Sequence, residues 1–243
     1  SYFKKAGQEI VDKNDKAVDV GINAAVKVEI PVENSTPGTV AVIVKADGTE
    51  EIVKTSVVTE NGVTLELDGS VTVKVIDNSK SFADTNNHWA EGSIAFVTAR
   101  EMFNGTSTTT FTPDVSMTRA QLMTVLARFD GVDTTTGDTW YEKGMEWAKA
   151  NGVSDGSNPN GNITREQLAT MLWRYSGSPA AKGSIDHFSD ADKVSDYAAD
   201  AMAWAVEIGL INGMGDDTLA PQGDATRAQL ATILMRYCEN LAE

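Results

Sequence analysis

Thr118-Arg119-Ala120-Gln121-Leu122, Thr164-Arg165-Glu166-Gln167-Leu168 and Thr226-Arg227-Ala228-Gln229-Leu230 are three versions of one phrase in a chain of 243 residues. The match runs on through Thr124, Leu126, Arg128 and Phe129, through Thr170, Leu172, Arg174 and Tyr175, and through Thr232, Leu234, Arg236 and Tyr237. A Thr followed three residues later by Gln is a capping box, in which the hydroxyl accepts from the third helical amide and the Gln reaches back to the amide of the cap. Leu122, Val125, Leu126 and Phe129 then fall at i, i+3, i+4 and i+7, one apolar stripe of a helix. Leu168, Met171, Leu172 and Tyr175 repeat the stripe, as do Leu230, Ile233, Leu234 and Tyr237. Three equivalent stripes are expected to pack around a shared axis.

A second helix is predicted upstream of each cap, led by Trp89, Trp140 and Tyr197 and closed at Asn104-Gly105, Asp155-Gly156 and Asn212-Gly213. The aromatic and the glycine are 16 residues apart in every copy, and Ile94, Met145 and Met202 line up inside. From glycine to capping Thr the first and third copies both span 13 residues, whereas the second spans 8. Gly105, Gly156 and Gly213 read first as positive-φ residues at a helix end. The repeats cover about residues 81–135, 136–183 and 184–243.

The chain before residue 81 has a different period. Ala25–Ile30, Thr39–Val44, Glu51–Val58, Val63–Leu67 and Val71–Ile76 alternate and are rich in β-branched residues, with Asp47-Gly48, Asn61-Gly62 and Asp68-Gly69 between them. Such dipeptides supply the positive φ of tight hairpins, so consecutive strands are expected to pair antiparallel in a small meander or sandwich. Residues 1–24 are polar and either complete this module or link it to something upstream, and Asp77-Asn78-Ser79-Lys80 marks the domain boundary. The fold class is therefore α+β in two domains, a β module over 1–80 and a mainly helical threefold domain over 81–243.

Composition narrows the functions. The net charge is −15, from 35 acidic against 20 basic residues, which disfavours nucleic acid and anionic membrane surfaces as partners. No apolar run is long enough to span a membrane, so no membrane insertion is expected. The opening Ser1-Tyr2-Phe3-Lys4-Lys5 has no apolar signal core, which fits a cytosolic protein or the mature part of a larger exported one. Cys238 is the single cysteine, excluding an intrachain disulfide and a Cys-based zinc site, and His88 and His187 each stand alone. Asp155-Gly156-Ser157-Asn158-Pro159-Asn160-Gly161 hints at a calcium loop, but Pro159 and Asn160 occupy the places that need a ligand and a glycine. No nucleophile–base motif or carboxylate pair stands out, so neither a catalytic site nor a metal or other cofactor is expected.

The motifs of residues 81–243 resemble the S-layer homology domain, whose pattern runs F-x-D, a Trp-Ala opening a helix, a Gly-containing turn, F-x-P, and T-R-A-E opening a second helix. Copy one reads Phe82-Ala83-Asp84, Trp89-Ala90, Asn104-Gly105, Phe111-Thr112-Pro113 and Thr118-Arg119-Ala120-Gln121. Copy three reads Phe188-Ser189-Asp190, Tyr197-Ala198, Asn212-Gly213, Leu219-Ala220-Pro221 and Thr226-Arg227-Ala228-Gln229. Copy two departs, with Asp138-Thr139-Trp140 and Asn158-Pro159-Asn160 where the family has F-x-D and F-x-P, and all three copies carry Gln for Glu. The resemblance implies a pseudo-threefold spindle with a central three-helix bundle. It also implies grooves between lobes that bind secondary cell-wall polysaccharide, typically with a pyruvylated sugar, and hold surface proteins on Gram-positive walls. An extracellular, wall-bound location as part of a larger surface protein follows from it. The groove using copy two is the one expected to be altered.

The site candidates each have two readings. Arg119, Arg165 and Arg227 open their helices, where a guanidinium, free amides and the helix dipole suit a ligand carboxylate; alternatively each pairs with a local acid such as Asp84 or Asp190. Trp89, Trp140 and Tyr197 either stack on sugar faces or pack between lobes. Asp84 and Asp190 either accept from sugar hydroxyls or cap loops. The competing functional class is a structural module mediating protein–protein assembly without glycan.

Overall fold

In the computed structural model, which describes residues 25–243 and the backbone of residues 3–5, 8–10 and 18–20, the alternating stretches become strands. They are β1 (Phe3–Lys5), β2 (Gln8–Ile10), β3 (Val18–Val20), β4 (Val26–Pro31), β5 (Thr39–Val44), β6 (Glu50–Ile52), β7 (Val57–Val58), β8 (Gly62–Leu67) and β9 (Val71–Asp77). Besides a β1–β2 pair, they form two antiparallel sheets, β3-β9-β5-β6 and β4-β8-β7. The reading of residues 1–24 falls mostly outside the described residues, apart from β1, β2 and β3; the last pairs with β9.

Of the two expected arrangements the sandwich is the one formed, and the pairing of consecutive strands is corrected. Asp47-Gly48 and Asn61-Gly62 do join paired neighbours, β5 to β6 and β7 to β8, but Asp68-Gly69 carries the chain between sheets. The run from Glu51 to Val58 is likewise two strands, because Ser56 N–H (3.0 Å) and Ser56 Oγ (2.7 Å) both donate to Val53 O and bend the chain across. Between the sheets lie Val28, Ile30, Ala41, Val63, Leu65, Leu67 and Val73. Alternation would leave the other face of β5 wet. Instead Val40 and Val42 are buried there with Ala99, the last residue of α1 (Glu91–Ala99).

Arg100 follows directly and is fully buried, with no carboxylate partner among the described residues. It donates to Ser56 O (2.8 Å), Pro37 O (2.9 Å), Phe96 O (3.0 Å) and Thr39 O (3.1 Å), and its guanidinium lies 3.5 Å from the Phe96 ring centroid. Burial pushes its pKa down to about 9, so it stays a cation at neutral pH and the carbonyl dipoles supply its solvation.

Cα packing divides the chain into two units, Ser1–Phe111 with Tyr237–Glu243, and Thr112–Arg236. The second contains α2 (Arg119–Phe129), α3 (Glu142–Ala150), α4 (Arg165–Tyr175), α5 (Ala199–Glu207) and most of α6 (Arg227–Ala242). Each Thr-x-x-Gln phrase makes its capping box: Gln121, Gln167 and Gln229 N–H donate to the Thr hydroxyls at 3.2–3.3 Å, and the Thr amides donate back to the Gln carbonyl oxygens at 3.0–3.2 Å.

The residues just before the caps close a ring. Met117 N–H donates to Ala225 O, Ala225 N–H to Ile163 O, and Ile163 N–H to Met117 O, each at 2.9 Å. All three side chains are buried. Outside this ring, the first two amides of each helix donate to the next copy's loop. Arg119 and Ala120 N–H reach Gly161 O and Pro159 O, Arg165 and Glu166 N–H reach Gly223 O and Pro221 O, and Arg227 and Ala228 N–H reach Val115 O and Pro113 O. Small antiparallel sheets followed by six helices, with the core helices related by this threefold ring, make the α+β architecture.

Helix pairs form across copies: α2 packs on α3 and α4 on α5. The crossing is tight at Gly144, where an added Cβ would lie 2.7 Å from Thr124 Cα and 2.8 Å from Thr124 N. Ser93 and Ala201, four residues past their own aromatics as Gly144 is past Trp140, are also buried. Asp130, the C-cap of α2, accepts from Trp147 Nε1 (2.8 Å) and Tyr175 OH (3.1 Å), joining α3 and α4 at that end.

The expected helix ends are corrected. The first helices stop at Ala99, Ala150 and Glu207, and the left-handed residues that follow are Glu101 (φ 56°), Gly152 (φ 67°) and Gly209 (φ 74°). Gly105, Gly156 and Gly213 lie four residues further on, and of these Gly156 (φ 75°) and Gly213 (φ 26°) have the expected positive φ. Gly105 and Gly213 are needed for close approach, since a Cβ would come within 2.5 Å of Phe82 Cε1 and 2.9 Å of Phe188 Cε1 respectively. The 3.6-residue pattern runs past the true end because the next apolar residues, such as Met102 and Leu210, stay buried in the loop.

Gly144→Ala puts a methyl into backbone that cannot move far without shifting α2. The expected loss is about 1–3 kcal/mol, read as a lower midpoint in thermal or urea unfolding, whereas Gly92→Ala, whose added methyl would meet only Pro37 Cγ at 4.0 Å, causes no such loss.

Candidate functional site

The loops that meet the core helices are built by aspartates. Phe111 N–H donates to Asp84 Oδ1 (2.9 Å) and Oδ2 (3.2 Å). In copy three, Leu219 N–H (2.8 Å) and Ala220 N–H (2.9 Å) donate to the two oxygens of Asp190, which is buried. Burial alone would raise the Asp190 pKa, but these amide bonds outweigh it and hold the carboxyl below its ordinary value. The residue following is left-handed in both loops, Thr112 (φ 53°) and Ala220 (φ 48°).

Copy two keeps more of this loop than its sequence suggests. Asn158 is left-handed too (φ 46°), and Pro159 stands five residues before its Thr, as do Pro113 and Pro221. Pro159 O accepts from Ala120 N–H at 2.8 Å, the same bond that the other two prolines make. The aromatic is replaced by Ser157, and the shortening falls upstream of it.

The three arginines enter the protein. Arg119 Nε donates to Ser157 O (2.9 Å), and its Nη2 reaches Ser154 Oγ (3.0 Å) and Asp155 Oδ1 (3.3 Å). Arg165 Nε donates to the equivalent carbonyl, Leu219 O, at 2.7 Å. Arg165 and Arg227 are buried, and Arg119 is half-buried. Burial lowers the Arg165 pKa, opposed by the nearby charge of Asp190. The amides expected to be free at these helix starts are not: the first two serve the next copy's loop and the third serves the Thr cap. The anion site expected from the helix ends is thus filled by carbonyl oxygens of the chain itself. Arg174 and Arg236 donate to Val153 O (3.5 Å) and Leu210 O (3.1 Å), tying each core helix to its own copy.

The aromatics behave oppositely. Trp89, Trp140 and Tyr197 sit two residues before the first α-helical residue, Tyr197 within a single 3-10 turn (Asp196–Ala198), and are 64%, 55% and 50% exposed. Tyr197 also reaches the neighbouring copy, donating its hydroxyl to Glu166 at 3.0 Å.

One cluster was not legible as a site. Glu166, buried at the second position of α4, accepts from Ser195 N (2.9 Å), Ser195 Oγ (2.8 Å), Tyr197 OH (3.0 Å) and Gln222 Nε2 (2.8 Å). Burial and then the bond to Glu166 push the Tyr197 phenol up to about 12. The signal was in the repeat: Ala120 and Ala228 fill this position in the other copies.

A family model for the S-layer homology domain matches residues 81–123, 133–169 and 187–231. The chain belongs to the S-layer homology domain family. Similar sequences include an amylopullulanase of Thermoanaerobacterium thermosulfurigenes, 30% identical over 66% of this chain and 10% of the relative. An exoglucanase XynX of Acetivibrio thermocellus is 30% identical over 68% of this chain and 17% of its own length. A cellulosome-anchoring protein of Acetivibrio thermocellus is 29% identical over 47% of this chain and 30% of its own. The matches cover less than a third of each relative's length, so these are larger proteins sharing the S-layer homology repeats. No helix among the described residues is long and apolar enough to cross a membrane.

In this S-layer homology domain Asp190 is a loop-builder, and that is testable. Asp190→Asn keeps one acceptor for two amides and should cost about 1–2 kcal/mol at pH 7. Because the native pKa of Asp190 is lowered, its contribution is present above the ordinary carboxylate range and fades as pH falls through the native value. The difference in melting temperature between wild type and variant should therefore shrink below about pH 4.

Proposed function

We propose that this chain is a noncatalytic anchoring module that holds a larger surface protein on an anionic secondary cell-wall polysaccharide, with a pyruvylated sugar as the ligand. Residues 81–243 do the anchoring, and the β module of residues 1–80 precedes them. The observation that carries the reading is the exposure of Trp89, Trp140 and Tyr197 at one repeated position. Large rings left in water three times over are contact surfaces, since burial of each would otherwise stabilise the fold by about 1.5–3 kcal/mol.

Family membership and the cellulosome-anchoring relative support the same reading. The net charge of −15 means that an anionic glycan is caught by local contacts rather than by a basic field. Arg119, half-buried where Arg165 and Arg227 are buried, is the guanidinium of the three that a ligand can best reach. Arg165 and Arg227, with Asp84, Asp190, Gly105, Gly156 and Gly213, shape the loops of the repeats.

The test is retention on purified cell-wall sacculi before and after hydrofluoric acid strips the polysaccharide. Binding should disappear with the polysaccharide; binding that survives would favour protein–protein assembly instead. Trp140→Ala should weaken retention at least about tenfold while leaving the melting temperature near that of wild type.

A further inference from the structure

The lobes solve one local problem in two ways. Two residues before each exposed aromatic, a backbone N–H needs an acceptor. In copy one Asn87 N–H donates to Glu91 (3.1 Å), and in copy two Asp138 N–H donates to Glu142, each Glu being two residues past the aromatic in its own lobe. Copy three has Ala199 at that place. Its amide, Ser195 N–H, donates instead to Glu166, a residue of copy two.

The acceptor has thus moved from the lobe's own helix to the core helix of the neighbouring copy. The exchange is reciprocal. Where the lobe keeps its Glu, as copy two keeps Glu142, the facing core helix of copy one carries Ala120; where the lobe has Ala199, the facing helix carries Glu166. Glu166 also takes Ser195 Oγ, Tyr197 OH and Gln222 Nε2, all polar groups of copy three. Gln222 Nε2 reaches Lys193 O and Ser195 Oγ as well, both at 3.3 Å.

We propose that Glu166 closes the groove between copies two and three to carboxylate-bearing sugars, so that the open groove of Thr112–Arg236 is the one between copies one and two, beside Trp140. A ligand carboxylate entering at Glu166 would meet a buried like charge, and its hydroxyls would find their donors already committed to a charged acceptor. The first groove carries no buried carboxylate: Ala120 stands where Glu166 does, Glu142 serves its own lobe, and Asp155, the acid beside Arg119, is exposed and paired with that arginine at 3.3 Å. This inference rests on the glycan reading above and adds to it which groove works and which residue decides.

The experiment measures binding of a pyruvyl-ketal monosaccharide to the full chain by calorimetry. Trp89→Ala with Trp140→Ala removes the other two exposed indoles and leaves only the ring beside Glu166. That double variant should bind at least about thirtyfold more weakly than wild type, and adding Glu166→Ala should restore affinity to within about tenfold of wild type. Glu166→Gln, which removes the charge and keeps the shape, decides the matter if the alanine variant fails to show a cooperative melt. Full binding by the double variant, or no recovery in either Glu166 variant while wild type binds, overturns the proposal. If wild type itself does not bind the sugar, the glycan reading falls and this inference falls with it.

Discussion

The ring of Met117, Ile163 and Ala225 sets the terms for everything around it. A helix start leaves backbone amides without partners inside the helix, and three helix starts brought together in a dry interior would leave many. Here each is answered by a neighbour: the ring takes the amides just before the caps, the next copy's loop takes the first two helical amides, and the Thr cap takes the third. The arrangement is cyclic, so each helix start depends on the loop of the following copy. That is why copy two, five residues shorter between its glycine and its cap, still places Asn158 and Pro159 where the other copies place Thr112-Pro113 and Ala220-Pro221. The loop could shorten only upstream of the carbonyls that the ring's neighbours require.

The same demand for acceptors reassigns residues from their expected roles. Arginine and aspartate are the types that contact anionic sugars, yet Arg165, Arg227 and Asp190 are buried, and the bonds of Arg165 and Asp190 hold a loop against a helix. Tryptophan and tyrosine are the types that fill cores, yet Trp89, Trp140 and Tyr197 stand in solvent. Arg100 follows the first pattern in the other unit, where backbone carbonyls of the β sandwich and of α1 surround a charge and leave β5 covered on both faces. Residue type gave chemistry in each case, but the location of unpaired backbone groups gave its use.

Much of the architecture was legible because it is local or periodic. The capping boxes, the apolar stripes, the threefold repeat and the aromatic at a fixed offset depend on spacings along the chain, and each stands where the sequence put it. The strand order was not legible, because Asp68-Gly69 turns the chain equally well within a sheet or between two. The helix ends were misplaced because buried loop residues continue the apolar pattern after the hydrogen bonds have stopped.

Taken alone, the sequence determined that three equivalent helices begin at Thr118, Thr164 and Thr226 and that an aromatic precedes each partner helix, since both follow from short-range caps and period. Only the tertiary structure decided that those aromatics face water, that the helix-start amides are already bonded, and that Glu166 answers a backbone amide of another copy. These are matters of which groups, distant in the chain, compete for the same acceptor. A pairing such as Glu166 with Ser195 spans 29 residues and leaves in the sequence only the trace of a Glu gained in one copy and lost in the next.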